Sequence, residues 1–577
     1  MLVVDDMNVD QIIELLEKEE YIAIDTESTG QDVRDGRGWG IGLSVGGYYC
    51  SVLMYSYVPV RHSAGDNVDP EDFQRLKTAI ENFDGWIIFH NAKFDLVSLA
   101  SMGINYEGKF FDTMLMCHLI NENLPYSKSL NDCVKHYVGK EHSKKNDEEF
   151  QAAVKMFGWD MPVVFMKSYA AWDAALTIML FKAIYEQFKQ EVSPEYWNHK
   201  QQFIRVIIAM EARGVGVDTA KCSRMIAIGE SNMQDILDDL GLNPASPKDL
   251  KELLIDRMGL PVVKETGKGA PSFDKFAMEI YEQMLEARSD ETAEKILIYR
   301  GWQKTVSSNY RAYLDLLSPD GRLRPNYKLH GTKTGRMSCE KPNLQQIPKS
   351  SAKEWNGDLK STFLPTVGYR LYEADYSQLE LRLATAYAKE EALAQVFEEG
   401  RDIFTEMSKG LGMSRQDTKT LVYTMQYGGG INRLVNVFGI TSKQAAQLRD
   451  NYFNTYTGFK TVSNMAKNKC LVDGKVRLWS GRYRHFQSRY DEAHKAFNSV
   501  MQGGAADIVE DTMVRFYHEL CDDNLHMLLQ VHDSIIFEVK EGMEDTYFPR
   551  IRQLMSNIRD GEFGVKFAVD IHALHEE

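Results

Sequence analysis

The sequence lacks three features that would assign it to a specialised class of protein. Its 7 cysteines include no Cys-x-x-Cys pair, so neither a disulfide framework nor a thiolate zinc site is indicated. No uninterrupted apolar run approaches the roughly 18 residues that span a bilayer. Residues 1–6 also lack the basic start and long apolar core of a secretion signal. We therefore expect a protein of a reducing compartment, the cytoplasm, with no membrane partner.

Positive charge is scarce as well, because 67 basic residues stand against 83 acidic ones and give a net charge of −16. Such a charge opposes nonspecific adhesion to another polyanion. Residues 321–350 are an exception, with seven basic residues and one acid. The basic residues are Arg322, Arg324, Lys328, Lys333, Arg336, Lys341 and Lys349. We expect this basic segment to confine a polyanion to one groove.

The 577 residues predict three to four folding units at roughly 150 residues per domain. Short apolar strand patterns alternate with helical patterns up to about residue 190, which is typical of an α/β domain. The polar stretch 190–199 is interpreted as a linker. Residues 200–320 are mostly helical by pattern, and the remainder has two strand-rich parts around a helical middle. The order predicts an α/β domain followed by an α+β domain.

A first group of acids follows the strands of the α/β part. Asp25 and Glu27 end an apolar strand and share one of its faces, because strand side chains alternate. Asp95 comes shortly after a second strand, and Asp173 lies four residues after Tyr169, on one side of a helix. Hard oxygen ligands without Cys or His suit Mg²⁺ or Mn²⁺, and a pair of such ions promotes phosphoryl transfer. Taken singly, each residue is equally typical of a cap or a solvated face.

Taken together, these residues resemble a known motif set. Asp25-x-Glu27, Asn91-x-x-x-Asp95 and Tyr169-x-x-x-Asp173, in that order, are similar to the three motifs of proofreading 3′→5′ exonucleases of the four-acid, tyrosine subtype. The resemblance implies a ribonuclease H-like fold and an active nuclease. In it the four acids hold two metal ions and Tyr169 orients a water molecule.

A second pair of acids lies far apart in the chain. Asp375 ends a predicted strand that precedes a helical stretch, and Asp533 occupies the tip of a predicted hairpin, residues 527–537. The two acids meet only if tertiary folding brings them together. Considered alone, Asp533 is typical of a residue that forms a turn.

Between these acids lies a stripe of helical spacing, Arg415, Lys419, Tyr423 and Tyr427. Each four-residue step advances about 400°, so the four side chains share one surface of a helix. Two cations can hold a triphosphate, and two aromatic rings can stack on a sugar and a base. An amphipathic helix with a solvated basic face is the alternative for this element.

The ordered set of motifs resembles family A DNA polymerases. The set comprises Thr334-Gly335-Arg336, Pro342 to Pro348, Asp375-Tyr376-Ser377-Gln378-Leu379-Glu380, the Arg415 to Tyr427 stripe, Met501-Gln502-Gly503 and His532-Asp533. The resemblance implies an α/β ribonuclease H-like exonuclease domain plus an α+β right-hand polymerase domain with palm, fingers and thumb. The implied boundaries are 1–190 for the exonuclease domain, 200–320 for the thumb, 321–388 and 486–577 for the palm, and 389–485 for the fingers.

The resemblance also implies roles for individual residues. Asp375, Asp533 and the carbonyl of Tyr376 hold two Mg²⁺ ions, with Mn²⁺ as a substitute. Lys419 protonates the leaving group and, with Arg415, holds the triphosphate. The remaining implied contacts to the nucleotide or primer-template are Tyr423, Tyr427, Gln378, Glu380, Arg336, Asn498, Gln502 and His532; among these, Glu380 excludes ribonucleotides.

We therefore expect a monomeric, template-directed DNA polymerase with proofreading, whose partners are primer-template DNA and dNTPs. No 5′-nuclease domain fits ahead of Asp25, which favours a bacteriophage replicative enzyme in a bacterial host; a helicase-primase or processivity factor stays open. The alternatives are a single-subunit RNA polymerase, disfavoured by Glu380, and a non-catalytic primer-template binding protein, disfavoured by the intact acids. Two departures stand out: Ser534 replaces an acid and Phe404 replaces a histidine that relatives commonly carry.

Overall fold

The structure of the protein, a computed structural model, describes residues 3–30, 32–63, 65–142, 148–347 and 359–575. Pro348 and Lys349, which belong to the motif and the basic segment named above, lie outside the described residues. The chain forms two compact units. The first comprises Met1–Ala212, Tyr327–Ser338 and Tyr372–His572, and the second comprises Arg213–Asn326, Cys339–Leu371 and Ala573–Glu577. The domain boundaries drawn from the sequence stay predictions.

The N-terminal part of the first unit is built on a six-stranded sheet of order β1-β4-β3-β2-β5-β6. Its strands are β1 (Val3–Asp5), β2 (Tyr21–Ser28), β3 (Gly40–Tyr49), β4 (Val52–Pro59), β5 (Trp86–Phe89) and β6 (Lys109–Asp112). Strands β2, β5 and β6 are parallel, while β3 is antiparallel to both β2 and β4. The carboxyl ends of the three parallel strands therefore meet at one edge of the sheet. Asp25 and Glu27 lie in the last half of β2, and Asp95 follows β5.

Seven α-helices accompany this sheet among the residues that the structure describes. They are α1 (Val9–Lys18), α2 (Pro70–Glu81), α3 (Ala92–Ser101), α4 (Thr113–Ile120), α5 (Leu130–Tyr137), α6 (Glu148–Phe157) and α7 (Val163–Glu191). Helix α7 packs directly on β2, β3 and β4. The approach is close, because a Cβ atom on Gly46 would lie 2.9 Å from the backbone of Ala174. Small residues on both elements thus bring Tyr169 and Asp173 to the sheet.

Helix α7 is also the one helix among the described residues that is long and apolar enough to cross a membrane. However, 61% of the most apolar 18-residue stretch of α7 is buried within the fold, which accounts for its apolar composition. A core helix meets the same criteria of length and hydropathy, so the criterion alone carries little weight.

The predicted linker over residues 190–199 is wrong in extent. Helix α7 continues to Glu191, and only two residues separate it from helix α8 (Pro194–Arg213). Pro194 occupies the first position of α8, where the missing amide hydrogen costs nothing because that position has no intrahelical partner. The polar composition of this stretch therefore reflects a helix start and not an extended connection.

The second unit is mainly helical, as predicted for residues 200–320. It contains β7 (Val215–Val217), α9 (Thr219–Leu240), α10 (Pro247–Leu250), α11 (Lys275–Glu286), α12 (Thr292–Thr305) and α13 (Ala312–Asp315), with π-helical segments at Lys251–Arg257 and Val306–Arg311. Strands β8 (Arg322–Leu323) and β11 (Phe363–Leu364) also belong to it, while β9 (Asn326–Lys328) and β10 (Ser338–Glu340) span the boundaries between segments of the two units. Leu250, Leu254, Tyr281 and Leu285 form part of its own hydrophobic core.

The C-terminal part of the first unit carries a four-stranded sheet of order β15-β16-β12-β17. Its strands are β12 (Tyr369–Tyr376), β15 (Leu525–Val531), β16 (Ser534–Lys540) and β17 (Val569–Ala573). The other elements are α14 (Leu379–Ala388), α15 (Glu391–Glu398), α16 (Ile403–Leu411), α17 (Arg415–Gln426), α18 (Ile431–Phe438), α19 (Ser442–Thr455), α20 (Thr457–Asp473), β13 (Lys475–Arg477), β14 (Tyr483–His485), α21 (Ala496–Leu520) and α22 (Glu544–Ser556). The predicted strand before Asp375, the hairpin around Asp533 and the helical middle are confirmed.

Buried ion pairs join the exonuclease-like segment to the later segments of the first unit. Glu211, which is 2% exposed, accepts hydrogen bonds from Lys93 Nζ at 2.5 Å and from the Tyr327 amide at 2.6 Å. Arg34 Nη1 lies 3.2 Å from the same carboxylate. Lys200 and Glu510 form a second buried pair at 2.5 Å. Because a buried charge is costly unless paired, these contacts hold the segments in a fixed register.

Substituting Glu211 by Ala is expected to lower the free energy of unfolding by about 2–3 kcal/mol, because the Tyr327 amide and the partly buried cations Lys93 and Arg34 lose a shared acceptor. Urea denaturation of the full chain measures the change. The matched control is Glu14→Ala, which breaks the exposed pair with Lys18 and is expected to cost about 1 kcal/mol or less. An equal loss in the two variants would contradict the role given to Glu211.

Candidate functional site

Three carboxylates of the first predicted group come together. Asp25 and Glu27 lie on β2 and Asp173 lies on α7, and each offers a ligand oxygen within 4.8 Å of the other two. The close approach of α7 to the sheet produces this cluster. Three negative charges at this separation repel one another strongly, so the arrangement suits a divalent cation with oxygen ligands.

Asp95, the fourth predicted acid, is buried beside this cluster, with 2% of its surface exposed. One carboxylate oxygen accepts hydrogen bonds from the amide of Thr26 at 3.0 Å and from its hydroxyl at 2.8 Å. The other oxygen has no hydrogen-bond partner among the described residues. Burial raises the pKa of Asp95 well above its usual range, and the charge of Asp112 raises it further. An orphaned buried carboxylate oxygen next to three more acids fits a divalent cation.

Tyr169 lies flat against Phe150, with ring centroids 3.6 Å apart and an interplanar angle of 6°. Its burial and the charges of Asp173, Glu27 and Asp25 raise the pKa of its phenol. The hydroxyl is therefore protonated at neutral pH and can donate a hydrogen bond. The stacking fixes its direction, as expected for a group that orients a water molecule.

Sequence reasoning missed the residues that hold these side chains. Asp112 ends β6 and caps α4, and it also accepts hydrogen bonds from the amides of Asn91 at 3.1 Å and Ala92 at 3.0 Å. It thereby anchors the start of α3, the helix of Asp95. The sequence signal was present, since an acid between an apolar strand and a helical run is typical of an N-cap. Nothing in the sequence indicated that Thr26 would hold Asp95.

Exposed aromatic side chains lie next to segments that carry the acids of the first site. Trp39, Phe94 and Trp159 are each 41% exposed. The Trp39 amide hydrogen-bonds to Thr29, Phe94 adjoins Asp95 in sequence, and Trp159 lies so close to Gly30 that a Cβ there would be 2.5 Å from the indole. Aromatic faces beside a cluster of acids offer stacking surfaces for unpaired bases.

Asp375 and Asp533 are brought together as predicted. Strands β12 and β16 are neighbours in the sheet, and the amide of Tyr376 donates a hydrogen bond to the carbonyl of Asp533 at 3.3 Å. The residue before Tyr376 therefore stands beside the turn of the hairpin. In that turn His532 adopts a left-handed conformation with φ of 53° and is exposed.

Arg336 bridges two acids at the same place. Its Nη2 lies 3.1 Å from Asp533 Oδ1 and 2.8 Å from Glu380 Oε1. Burial raises the pKa of Glu380, the charge of Arg336 lowers it, and the charge of Asp533 raises it. Tyr427 also hydrogen-bonds to Glu380. Three predicted substrate contacts thus surround one of the two principal acids.

The predicted stripe on α17 is present, with Tyr427 as its C-cap. The rings of Tyr423 and Tyr427 stack with centroids 6.1 Å apart. Arg415 forms two hydrogen bonds with Asp402, at 2.9 and 2.6 Å, and this partner holds the pKa of Asp402 well below its usual range. The ring centroid of Phe404 lies 5.9 Å from Arg415 Cζ and 6.0 Å from Lys419 Nζ, so both cations lie over this ring.

Three further predicted contacts are side-chain amides. Gln378 precedes α14 in a left-handed conformation, and Asn498 and Gln502 stand one turn apart on α21. Gln378 Oε1 and Asn498 Oδ1 are buried and have no hydrogen-bond partner among the described residues. Buried polar atoms without partners are rare in folded proteins, so these two oxygens suit a polar ligand.

Two arginines of the basic segment are engaged within the second unit, which corrects the expectation that the whole segment binds a polyanion. Arg324 is 8% exposed and pairs with Asp320 within the second unit. Arg322 hydrogen-bonds to the carbonyls of Arg213 and Gly214 in the same unit. These arginines are used to hold the fold, whereas Arg336 lies at the site in the first unit. Local sequence counts cannot separate such roles because they depend on tertiary partners.

Comparison with known protein families accounts for both sites. The family model described as DNA polymerase family A matches residues 218–575, and the model described as 3'-5' exonuclease matches residues 2–189. The chain thus combines a region of DNA polymerase family A with a region that matches a 3'-5' exonuclease family. The first match covers more than half of the chain, which therefore belongs to DNA polymerase family A. The predicted fold class is confirmed.

Individual relatives agree with this assignment. The chain is 26% identical to DNA polymerase I of Pseudomonas aeruginosa, with 96% of this chain and 63% of that protein covered. It is 27% identical to DNA polymerase I of Rhizobium leguminosarum, with 93% and 56% covered. The chain thus spans about 60% of the length of these relatives. A similar solved structure is the POL domain of Pol1 from M. smegmatis in complex with DNA primer-template and dNTP. The two structures superpose with a TM-score of 0.80 at 21% sequence identity, over 99% of this chain and 98% of the M. smegmatis chain.

The loss of one acid from the first site is expected to change thermal stability in opposite directions without and with a divalent cation. In EDTA, Asp25→Asn should leave the protein at least as stable as the parent, since a repulsive charge is lost. With Mn²⁺ at 100 times its Kd for this site, the free energy of unfolding of the parent should rise by about 2.7 kcal/mol, and the variant should lack this increase. Thermal unfolding in both buffers measures the crossover. Asp84→Asn, at a fully exposed acid, is the control; a variant stabilised by Mn²⁺ as much as the parent would exclude the cluster as a metal site.

Proposed function

We propose that this chain is a template-directed DNA polymerase that extends a primer 3′ end with dNTPs and removes mispaired ends at a separate 3′→5′ exonuclease site. The observation that carries the proposal is the presence of two separate acidic sites on one chain of family A. Asp375 and Asp533 adjoin each other in the sheet of β12 and β16, and Asp25, Glu27 and Asp173 form the other cluster. Primer-template DNA and dNTP are the ligands of the M. smegmatis neighbour, which supports the same substrate class here.

Divalent cations complete both sites in this proposal. Asp375, Asp533 and the Tyr376 carbonyl would hold them in the polymerase site. In the exonuclease site the ligands would be Asp25, Glu27, Asp95 and Asp173. Mg²⁺, two per site and replaceable by Mn²⁺, would neutralise the negative charge that develops during phosphoryl transfer.

The stripe on α17 binds the incoming nucleotide. Arg415 exchanges Asp402 for phosphate oxygens, and the cost is small because an exposed ion pair is screened by solvent. Lys419 holds the triphosphate beside it and supplies a proton to the leaving pyrophosphate. Tyr423 and Tyr427 present their stacked faces to the sugar and the base.

Glu380 selects the deoxyribose sugar. Its side chain is buried against Arg336 and Tyr427, so it occupies space that a 2′-hydroxyl needs. This arrangement argues against an RNA polymerase. When primer-template DNA binds, Arg336 turns to the minor groove. Asn498 and Gln502 contact the same groove, while Gln378 and His532 complete the contacts to the primer end and nucleotide.

At the exonuclease site, Tyr169 directs a water molecule towards the scissile phosphodiester. Its fixed ring and protonated hydroxyl support that role. Trp39, Phe94 and Trp159 stack on the unpaired bases of a frayed primer end. The buried pairs of Glu211 keep α3 in place relative to the later segments of the same unit.

We further propose that the enzyme acts as a monomer in the cytoplasm, in DNA replication. A bacteriophage source follows only from the resemblance and stays a prediction, because the named relatives are bacterial. The association with helicase-primase or with a processivity factor stays open.

The two activities are expected to separate by mutation. Asp375→Ala or Asp533→Ala should reduce primer extension at least about a thousandfold, because metal binding supplies several kcal/mol of transition-state stabilisation. The same variants should still degrade a mismatched 3′ end. Asp25→Ala combined with Glu27→Ala should do the reverse. Gel assays of one labelled primer-template, with and without dNTPs, measure both activities.

The controls for this experiment are exposed acids outside both sites, Asp84→Ala and Glu14→Ala, which should retain both activities. Loss of both activities in a folded single-site variant would contradict two independent sites. Equal incorporation of ribonucleotides and deoxyribonucleotides by the parent would contradict the role of Glu380.

A further inference from the structure

Another carboxylate, Glu373, is buried on the strand that carries Asp375 of the polymerase site. Glu373 stands two residues before Asp375 on β12, so the pleat places both side chains on the same face of the strand. The opposite face carries Tyr372 and Tyr376, and the hydroxyl of Tyr376 hydrogen-bonds to Thr512 of α21 at 2.6 Å. Glu373 is buried, with 5% of its surface exposed. It therefore faces away from the supporting helix and towards the side of Asp375.

Two neighbours hold the two oxygens of this carboxylate. Ser534 Oγ lies 2.6 Å from Glu373 Oε1, and His572 Nε2 lies 3.2 Å from Oε2. Ser534 directly follows Asp533 and begins β16, the neighbour of β12. The contact thus joins the strand of Asp375 to the hairpin of Asp533.

The position of this acid has an energetic consequence. A buried carboxylate is costly unless opposite charge compensates it. A cation held by Asp375 and Asp533 supplies such charge at short range. The benefit is mutual, because each additional carboxylate near a cation site raises its attraction for a divalent ion.

We propose that Glu373 is a third carboxylate of the polymerase cation site, held in place by Ser534, and that it strengthens divalent cation binding there. The inference rests on the proposed function and deepens it. The acid that the resemblance places directly after His532-Asp533 is then not lost in this chain. The neighbouring strand supplies it, and Ser534 has become its hydrogen-bond partner.

The test measures Mn²⁺ binding by the full chain, with Mn²⁺ alone as the probe. The background is Asp25→Ala with Glu27→Ala, which removes the exonuclease cluster. The free ion is followed by its electron paramagnetic resonance signal. Glu373→Gln is expected to raise the Kd roughly ten- to a hundredfold, the range for groups that support metal ligands. Glu373→Ser combined with Ser534→Glu returns the acid to the other strand and should restore the Kd to within about threefold of the parent.

The matched control is Glu538→Gln. Glu538 is also a buried glutamate of this sheet with a histidine partner, His526, at 3.2 Å. It lies four residues beyond Ser534, or about 13 Å along the strand, and its loss should leave the Kd unchanged. Thermal unfolding of each variant reports whether it folds.

An unchanged Kd in Glu373→Gln would overturn the inference, and so would an equal rise in Glu538→Gln. Asp533→Asn separates this failure from failure of the proposed function. If Asp533→Asn weakens Mn²⁺ binding and Glu373→Gln does not, only the role of Glu373 is wrong. If neither changes it, the polymerase cation site itself is wrong. Should Glu373→Gln fail to fold, the exchanged double variant decides: a Kd near the parent value supports the inference and a raised Kd overturns it.

Discussion

Repulsion between carboxylates is the constraint on which both sites of this protein depend. Asp25, Glu27 and Asp173 present oxygens within 4.8 Å of one another, and Asp95 is buried beside them. Such groups stay together only if the fold holds them rigidly, because each would gain free energy by moving into water. A bound divalent cation offsets the free energy that is needed to hold the acids together. The cluster is therefore suited to a reaction that requires such ions.

The rigidity comes from hydrogen bonds made behind the acids. Thr26 holds Asp95, and Asp112 anchors the helix that carries it. In the polymerase site the backbone contact from Tyr376 to Asp533 and the contact from Ser534 to Glu373 join two strands. These hydrogen bonds are not themselves bonds to a metal ion. They determine where the ligands lie, and a displacement of about 1 Å is enough to reduce the rate of a reaction substantially.

Much of this arrangement was predictable from the sequence because it depends on local periodicity. The strand before Asp375, the hairpin around Asp533 and the helical stripe from Arg415 to Tyr427 were all predicted, since alternation and four-residue spacing are local signals. The helix start at Pro194 was mistaken for a linker because polar composition alone does not distinguish the two. Tertiary partners were not predictable. Nothing local indicated that Arg324 would pair with Asp320, or that Glu373 would meet Ser534 across 161 residues.

Diffraction from crystals grown with Mn²⁺, a primer-template and a non-hydrolysable dNTP analogue tests the central claim most directly. The anomalous signal of manganese locates each ion without assumptions about the ligands. We expect manganese between Asp375 and Asp533, and also within the cluster of Asp25, Glu27 and Asp173. Anomalous density at the second cluster alone, with the nucleotide bound and none between Asp375 and Asp533, would contradict this expectation.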